Sequence, residues 1–207
     1  MTSNVTVFGA GYSVYVRIVR MALHEKGVPY ELVPVDVFAE EGVPQEHLVR
    51  QPFGRIPAFE HDGFALYETG AITRYVDEAF AGRALQPSGL RERARMNQII
   101  GMLDSYAYMP MVWDVYVQRV EPEEVADEVR IAAGLEKART FLQALSALAG
   151  DGEWLAGHDV SLADIHAAPI FALFERAPEG AALLASFPAI QRWWERVRAR
   201  PSFAATA

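Results

Sequence analysis

Along residues 5–80 the apolar positions change rhythm several times. Val5, Val7 and Phe8 form a short run, VTVF, and from Tyr15 to Lys26 the apolar residues fall at helical spacing, which predicts a strand followed by a helix. Gly27 and then Pro29 stop that helix. YELVPV predicts a second strand over Tyr30–Val35. Residues 38–51 are looser, with a short helix around Gln45–Val49. Ala58–Glu60 and Phe64–Tyr67 then read as two brief strands with HDG as the hairpin turn between them, and a helix over Thr69–Phe80 follows.

Beyond Tyr67 no segment has strand patterning. AGRALQPSGL, residues 81–90, has the small, glycine- and proline-containing composition of a linker. Helical patterns come next over Arg91–Gln118, Pro122–Leu148, Ser161–Phe174, Ala181–Leu184 and Ala189–Ala199. The layout predicts an α/β domain over residues 1–80, a linker over 81–90 and an all-helical domain over 91–207, without internal repeats.

The opening VTVFGAGYSVYVR raises a dinucleotide-binding turn as a candidate, because Gly9-x-Gly11 follows a strand and Asp36 ends the next one. The third glycine of that fingerprint is replaced by Val14, and the further parallel strands of a dinucleotide fold are missing. Gly9 and Gly11 are instead expected to turn the chain tightly out of the strand and deliver Ser13 to the mouth of the helix.

Composition narrows the classes. The chain has 207 residues, 51% of them apolar, enough to bury a core without disulfides or metals. No apolar run approaches the roughly 18 residues of a membrane span. The start MTSN lacks the basic and apolar stretches of a secretory signal, so a cytoplasmic location is expected. A formal charge of −8 argues against a nucleic-acid binder, and Arg91, Arg93 and Arg95 read as a solvated or subunit-facing helix surface. Cysteine is absent, which excludes disulfides and chemistry by the protein's own thiolate. The histidines His24, His47, His61, His158 and His166 have no metal-ligand spacing, and no metal is expected.

The segment QPFGRIPAFEHDGFALYETGAITRYVDEAF, residues 51–80, resembles the second half of the glutathione-binding domain of cytosolic glutathione transferases: Asn-Pro-Phe-Gly-x-(Val/Ile)-Pro-Ala-Leu, a hairpin, then Glu-Ser opening a helix. SVYVRIVRMALHEKG, Ser13–Gly27, resembles the serine-type members. WLAGHDVSLADIHAAPI and RWWERVRARPSF resemble the helical-domain signature and the closing helix. The resemblance thus spans nearly the whole chain and is to a serine-type, phi-, tau- or zeta-like bacterial member. It implies a thioredoxin-like N-terminal domain (βαβαββα), an all-α C-terminal domain and a homodimer in which Phe53 is an aromatic key.

The resemblance also implies roles for particular residues. Pro57, on its own an ordinary proline at a strand start, would be cis, with Ile56 offering its backbone to the cysteinyl unit of glutathione. Glu68 would lie near the γ-glutamyl ammonium, and Thr69 would hold its carboxylate. Thr69 is in any case a natural N-cap, and a helix N-terminus favours anions. Gly42 and Val43 stand where several serine-type members carry basic residues for the glycyl carboxylate, so Arg55 is a candidate to supply that charge.

A free thiol with pKa around 8.5 must be favoured as the thiolate, and a two-unit drop is worth about 2.7 kcal/mol. Ser13, by position alone an N-cap, would donate to the sulfur; Tyr12 and Tyr15 are its rivals. Tyr12, Tyr106, Met109 and Trp113 are candidates to line a hydrophobic substrate site, in a cleft shared by the domains; Tyr106, Met109, Trp113 and Tyr116 serve equally well as core. Ser161 and Asp164 read as a capping box, and Trp193, Trp194 and Val197 as the buried face of the last helix.

The expected reaction is conjugation of the glutathione thiolate to hydrophobic electrophiles, in detoxification. Glutathione-dependent isomerisation or dehalogenation, or a weakly catalytic ligand-binding role, are the alternatives.

Overall fold

The computed structural model describes residues 4–122, 125–150 and 152–207. The chain divides into two compact units, Met1–Ala84 with Pro201–Ala207, and Leu85–Arg200.

The first unit runs β1 (Val5–Phe8), α1 (Val14–Glu25), β2 (Glu31–Val33), α2 (Gln45–Arg50), β3 (Ala58–His61), β4 (Phe64–Tyr67) and α3 (Thr69–Ala79). The strands form one sheet in the order β2-β1-β3-β4, with β1 and β2 parallel and the other pairs antiparallel. This is the βαβαββα order expected from the sequence. The β3–β4 turn is the two-residue kind that needs two left-handed positions, filled by Asp62 (φ 49°) and Gly63 (φ 83°).

Val16, Ile18, Val19, Ala22 and Leu23 bury one side of α1, and Ile72, Thr73 and Val76 do the same for α3. Lys26, just past α1, reaches Asp77 on α3 with Nζ 3.1 Å from Oδ1, and donates to the carbonyls of Asp77 and Arg83. A buried ammonium with all its donors placed avoids the desolvation penalty of an unpaired one.

The sequence reading puts residues 201–207 in the helical domain, whereas they pack with the first unit. Their short helix, α10 (Pro201–Ala204), lies along α1: the Arg17 guanidinium stacks 4.3 Å from the centre of the Phe203 ring and donates to the Phe203 carbonyl at 3.1 Å. Packing of Thr206 and Ser202, both buried, completes the seam.

The second unit is helical. It contains α4 (Leu90–Met102), a π-helical segment (Leu103–Val117), α5 (Gln118–Val120), α6 (Glu128–Ala149), α7 (Leu162–Phe174), α8 (Pro178–Ala185) and α9 (Pro188–Arg198). Leu85 is fully buried in it and its carbonyl accepts from Leu162, so part of the stretch read as linker is packed structure.

The expected helix from Arg91 to Gln118 is continuous but changes winding at Leu103. Its buried side includes Leu103, Ala107, Met111, Val115 and Tyr116. Gly134 of α6 sits against it so closely that a methyl there would lie 2.8 Å from Asp114 Cβ. The helix expected from Pro122 starts at Glu128 instead, because Asp127 caps it by accepting from Arg130 N at 3.0 Å. Glu123 and Glu124 of that prediction, and Met1–Ser3 of the start MTSN, lie outside the described residues.

Helix α7, apolar apart from Asp164 and His166, is buried throughout its first ten residues, from Leu162 to Phe171. Its capping box is formed as expected. The Asp164 carboxylate accepts from Leu155 N (2.9 Å), Ser161 N (2.8 Å), Ser161 Oγ (2.9 Å) and Trp193 Nε1 (2.8 Å). Burial pushes the Asp164 carboxyl up, and these donors work against it by favouring the anion. Trp193, Trp194 and Val197 are buried, as the pattern of the last helix predicts.

Candidate active site

Sheet register gathers the candidate residues of the first unit. Phe8, the last residue of β1, pairs with Ala58, the first of β3, and Ala58 pairs with Tyr67, the last of β4. Phe8 also pairs with Val33, the end of β2. The segments leaving the sheet at this row are therefore 9–13, 34–36, 55–57 and 68–69. With neighbouring strands about 5 Å apart, four stretches distant in sequence share one end of the sheet.

The first of these carries Ser13 and Tyr12. Ser13 is the N-cap of α1, and its Oγ accepts from Val16 N at 3.4 Å, a long bond. That contact uses a lone pair and leaves the hydroxyl proton to donate elsewhere. Tyr12 is exposed and differently engaged: its hydroxyl donates to Asp36 Oδ1 at 2.7 Å, and its ring leans on Phe38 with centroids 6.1 Å apart. Partial burial, then the bond to Asp36, pushes the Tyr12 phenol up to about 12. The same bond, with a second from Phe38 N, holds the Asp36 carboxyl below its usual range. Tyr15 lies half-buried on α1.

The chain turns tightly out of β1 as expected, with Ser13 N donating to the Ala10 carbonyl at 3.1 Å across Gly11 and Tyr12, but neither Gly9 nor Gly11 has a left-handed φ. A methyl at Gly9 would lie 2.4 Å from Val16 Cγ2 and 3.3 Å from Ile56 Cβ, so Gly9 lets α1 and Ile56 close on the strand end. At Gly11 the nearest atom would be Arg20 Nη1 at 4.0 Å, and nothing there requires glycine.

The second segment is Arg55-Ile56-Pro57, with a cis Ile56–Pro57 bond as the resemblance implies. Arg55 is exposed and Ile56 half-buried. Gln51, only 3% exposed, turns its Oε1 onto Phe53 N (2.8 Å) and Arg55 N (3.1 Å). His47, 1% exposed, places Nε2 2.8 Å from the Arg55 carbonyl. Neither support is visible in the sequence, where His47 is one polar residue of a six-residue helix and Gln51 merely stands for the usual asparagine.

The third segment is Glu68-Thr69. The N-cap of α3 is Glu68, not Thr69 as expected, and no side chain caps the helix. Glu68 has φ 72° and breaks the strand sharply, while its carbonyl accepts from Ala71 and Ile72. A non-glycine residue in that region is uncommon and is typical of sites where the surroundings over-determine the backbone. Thr69 becomes the first helical residue, so its N–H is among those a helix start leaves without an intrahelical partner.

Gly42 and Val43 carry no charge, and beside them stand the exposed Glu40 and Glu41. Arg55 is the basic side chain within the four segments that meet at the sheet end. Tyr106, Met109 and Trp113 belong to the second unit, on its π-helical segment. Tyr106 is 65% and Met109 50% exposed, and Trp113 is half-buried. Tyr116 is core: it is buried, its hydroxyl donates to Glu121, and it accepts from Arg176 at 2.7 Å. Arg91 and Arg93 are exposed on α4, the latter bonded to the Pro87 carbonyl at 2.9 Å. Among the described residues no cluster of three or more His, Asp or Glu side chains is arranged to hold a metal.

A mixed four-stranded sheet in βαβαββα order, followed by an all-helical unit, is the architecture of a glutathione transferase. The family model for the glutathione S-transferase N-terminal domain matches residues 7–84, and that for the C-terminal domain matches residues 104–201. The chain is similar to the probable glutathione S-transferase GSTF1 of Oryza sativa subsp. japonica, at 33% identity covering 96% of this chain and 93% of that one. Glutathione transferase F7 from Populus trichocarpa superposes with a TM-score of 0.86 at 31% identity, covering 98% of this chain and 97% of that one. Glutathione S-transferase I from maize, in complex with an atrazine glutathione conjugate, gives 0.84 at 28% identity, covering 98% and 95%. The chain belongs to the glutathione S-transferase family.

Proposed function

We propose that the chain binds glutathione at the sheet end formed by residues 9–13, 55–57 and 68–69, and holds its sulfur as the thiolate with the Ser13 hydroxyl. The thiolate then attacks an electrophilic carbon of a hydrophobic substrate. The thiol proton leaves to solvent, a carbon–sulfur bond forms, and the leaving group departs with the electron pair of its bond to carbon. The observation that carries this reading is the Phe8–Ala58–Tyr67 row, which brings together at one edge a helix-mouth hydroxyl, a backbone edge at Ile56 and an uncapped helix start.

Each group suits one part of glutathione. Ser13 retains a donor for sulfur, strengthened by the α1 dipole. Ile56 offers backbone to the cysteinyl unit. The free N–H groups and hydroxyl at Thr69 suit the γ-glutamyl carboxylate, and Glu68 its ammonium. Arg55 supplies a fork for the glycyl carboxylate. Tyr12 is the weaker rival to Ser13, because its proton is already committed to Asp36.

The protein acts as a cytoplasmic homodimer with Phe53, 68% exposed, inserted into the neighbouring subunit. No helix among the described residues is long and apolar enough to cross a membrane. Retention on immobilised glutathione, followed by turnover of an activated aryl halide, tests the reading. Failure to bind removes it altogether, and binding without turnover leaves a carrier of glutathione. Light scattering of wild type and Phe53→Ala tests the dimer: a wild-type monomer, or a variant that dimerises as well as wild type, refutes the key.

A further inference from the structure

We infer that His47 is a positioning residue for glutathione, an inference that rests on the functional reading above. It acts by fixing the peptide plane that carries the Ile56 N–H. A carbonyl oxygen only accepts, so at 2.8 Å from the Arg55 oxygen the Nε2 of His47 carries the proton. The Arg55 carbonyl and the Ile56 N–H belong to one trans peptide, in which the two groups point in opposite directions. Gripping the oxygen from the α2 side therefore aims the N–H away from α2. A hydrogen bond to the carbonyl also polarises the peptide and strengthens its N–H as a donor.

The surroundings indicate that the ring is kept for this contact. His47 is 1% exposed and its Nδ1 is buried with no hydrogen-bond partner among the described residues. An apolar side chain would fill the same space without that cost. Gln51 completes the hold: its N–H donates to the His47 carbonyl at 2.8 Å, and its Oε1 accepts from Arg55 N at 3.1 Å. Both polar groups of the Arg55 backbone are thus fixed by buried side chains, one residue before the edge that meets the cysteinyl unit.

His47→Leu and His47→Gln in the full chain test this role. The glutamine amide nitrogen stands the same number of bonds from Cβ as Nε2 and is also a donor. We expect H47L to raise the KM for glutathione about tenfold, the scale of one hydrogen bond. The KM for the electrophile, measured at saturating glutathione, should stay within about twofold, and H47Q should restore most of the loss. An unchanged glutathione KM in H47L overturns the role, as does an equal rise of both KM values with the same loss of kcat in both variants.

If H47L does not fold, nitrogen NMR of the wild type decides. A proton on Nε2, together with an Ile56 amide that moves when S-methylglutathione is added, supports the role; a proton on Nδ1 or an unmoved Ile56 amide overturns it. A wild type with no saturable dependence on glutathione overturns the functional reading and this role with it. A wild type that saturates beside an unchanged H47L overturns this role alone.

Discussion

Replacing Ser13 by alanine separates its structural part from its chemical one, because the two differ in size. As a cap the hydroxyl is weak: its 3.4 Å contact with Val16 N is at the long limit, so the loss belongs at the low end of the capping range, about 0.5 kcal/mol. That is small against the roughly 5–15 kcal/mol that hold a domain folded, and the variant should melt within a few degrees of wild type. As a donor to a thiolate the same hydroxyl makes a charge-assisted bond worth about 1.5–3 kcal/mol, which corresponds to about one to two units in the pKa of the bound thiol.

The assay is kcat/KM for an activated aryl halide at saturating glutathione, followed against pH, since this titrates the bound thiol. In wild type the rate should rise through a pKa about two units below the ordinary 8.5, and in S13A that limb should move back up by about one to two units. Below both pKa values the rates then differ by about 10- to 100-fold, and they converge as the pH passes the ordinary thiol range. Tyr12→Phe should leave the limb where it is. A Tyr12→Phe variant that shifts the limb while S13A does not would refute the assignment. So would an S13A rate that is lower by the same factor at every pH.

Three further outcomes follow from packing and charge. Gly9→Ala drives a methyl to 2.4 Å from the buried Val16 side chain and should cost about 1–3 kcal/mol by overpacking, whereas Gly11→Ala should be close to neutral; chemical denaturation of both compares them. Asp164→Ala strips one acceptor group from four donors in the second unit and should cost on the order of 3–5 kcal/mol, read by the same method. Tyr12→Phe removes the principal cause of the low Asp36 pKa, so carboxyl NMR should show that pKa moving up toward its usual value. The sign is fixed: a folded pKa below the unfolded one contributes stability above the ordinary carboxylate range and loses it as pH falls through the folded pKa. The variant should therefore lose less stability on acidification than wild type.

Strands and helices were legible wherever side-chain period decides the outcome. The β3–β4 hairpin follows from Asp62-Gly63, whose left-handed angles few other pairs tolerate, and α7 follows from its capping box. Other boundaries are set by a competing cap or by tertiary contact. Pro122 suggested a helix start, but Asp127 offers a side-chain acceptor to the free N–H groups and takes that place. Residues 201–207 follow the last helix directly in sequence, yet Arg17, distant in sequence, supplies the stacking and hydrogen bond that hold them to the first unit.

The site divides along the same line. Ser13, Ile56 and Thr69 are reached by motif, because each sits at a strand or helix end that local sequence specifies. What orients them lies outside the motif positions. Gly9 is small because Val16 and Ile56 converge on it, Asp36 occupies the Tyr12 hydroxyl, and His47 with Gln51 fixes the backbone at Arg55. Such contacts leave no period or spacing in the chain, and those of Gly9 with Ile56 and of Tyr12 with Asp36 form only once the sheet has brought its strand ends together. A motif can therefore name the groups that would touch glutathione, while the energy of holding them in register lies in residues that the motif passes over.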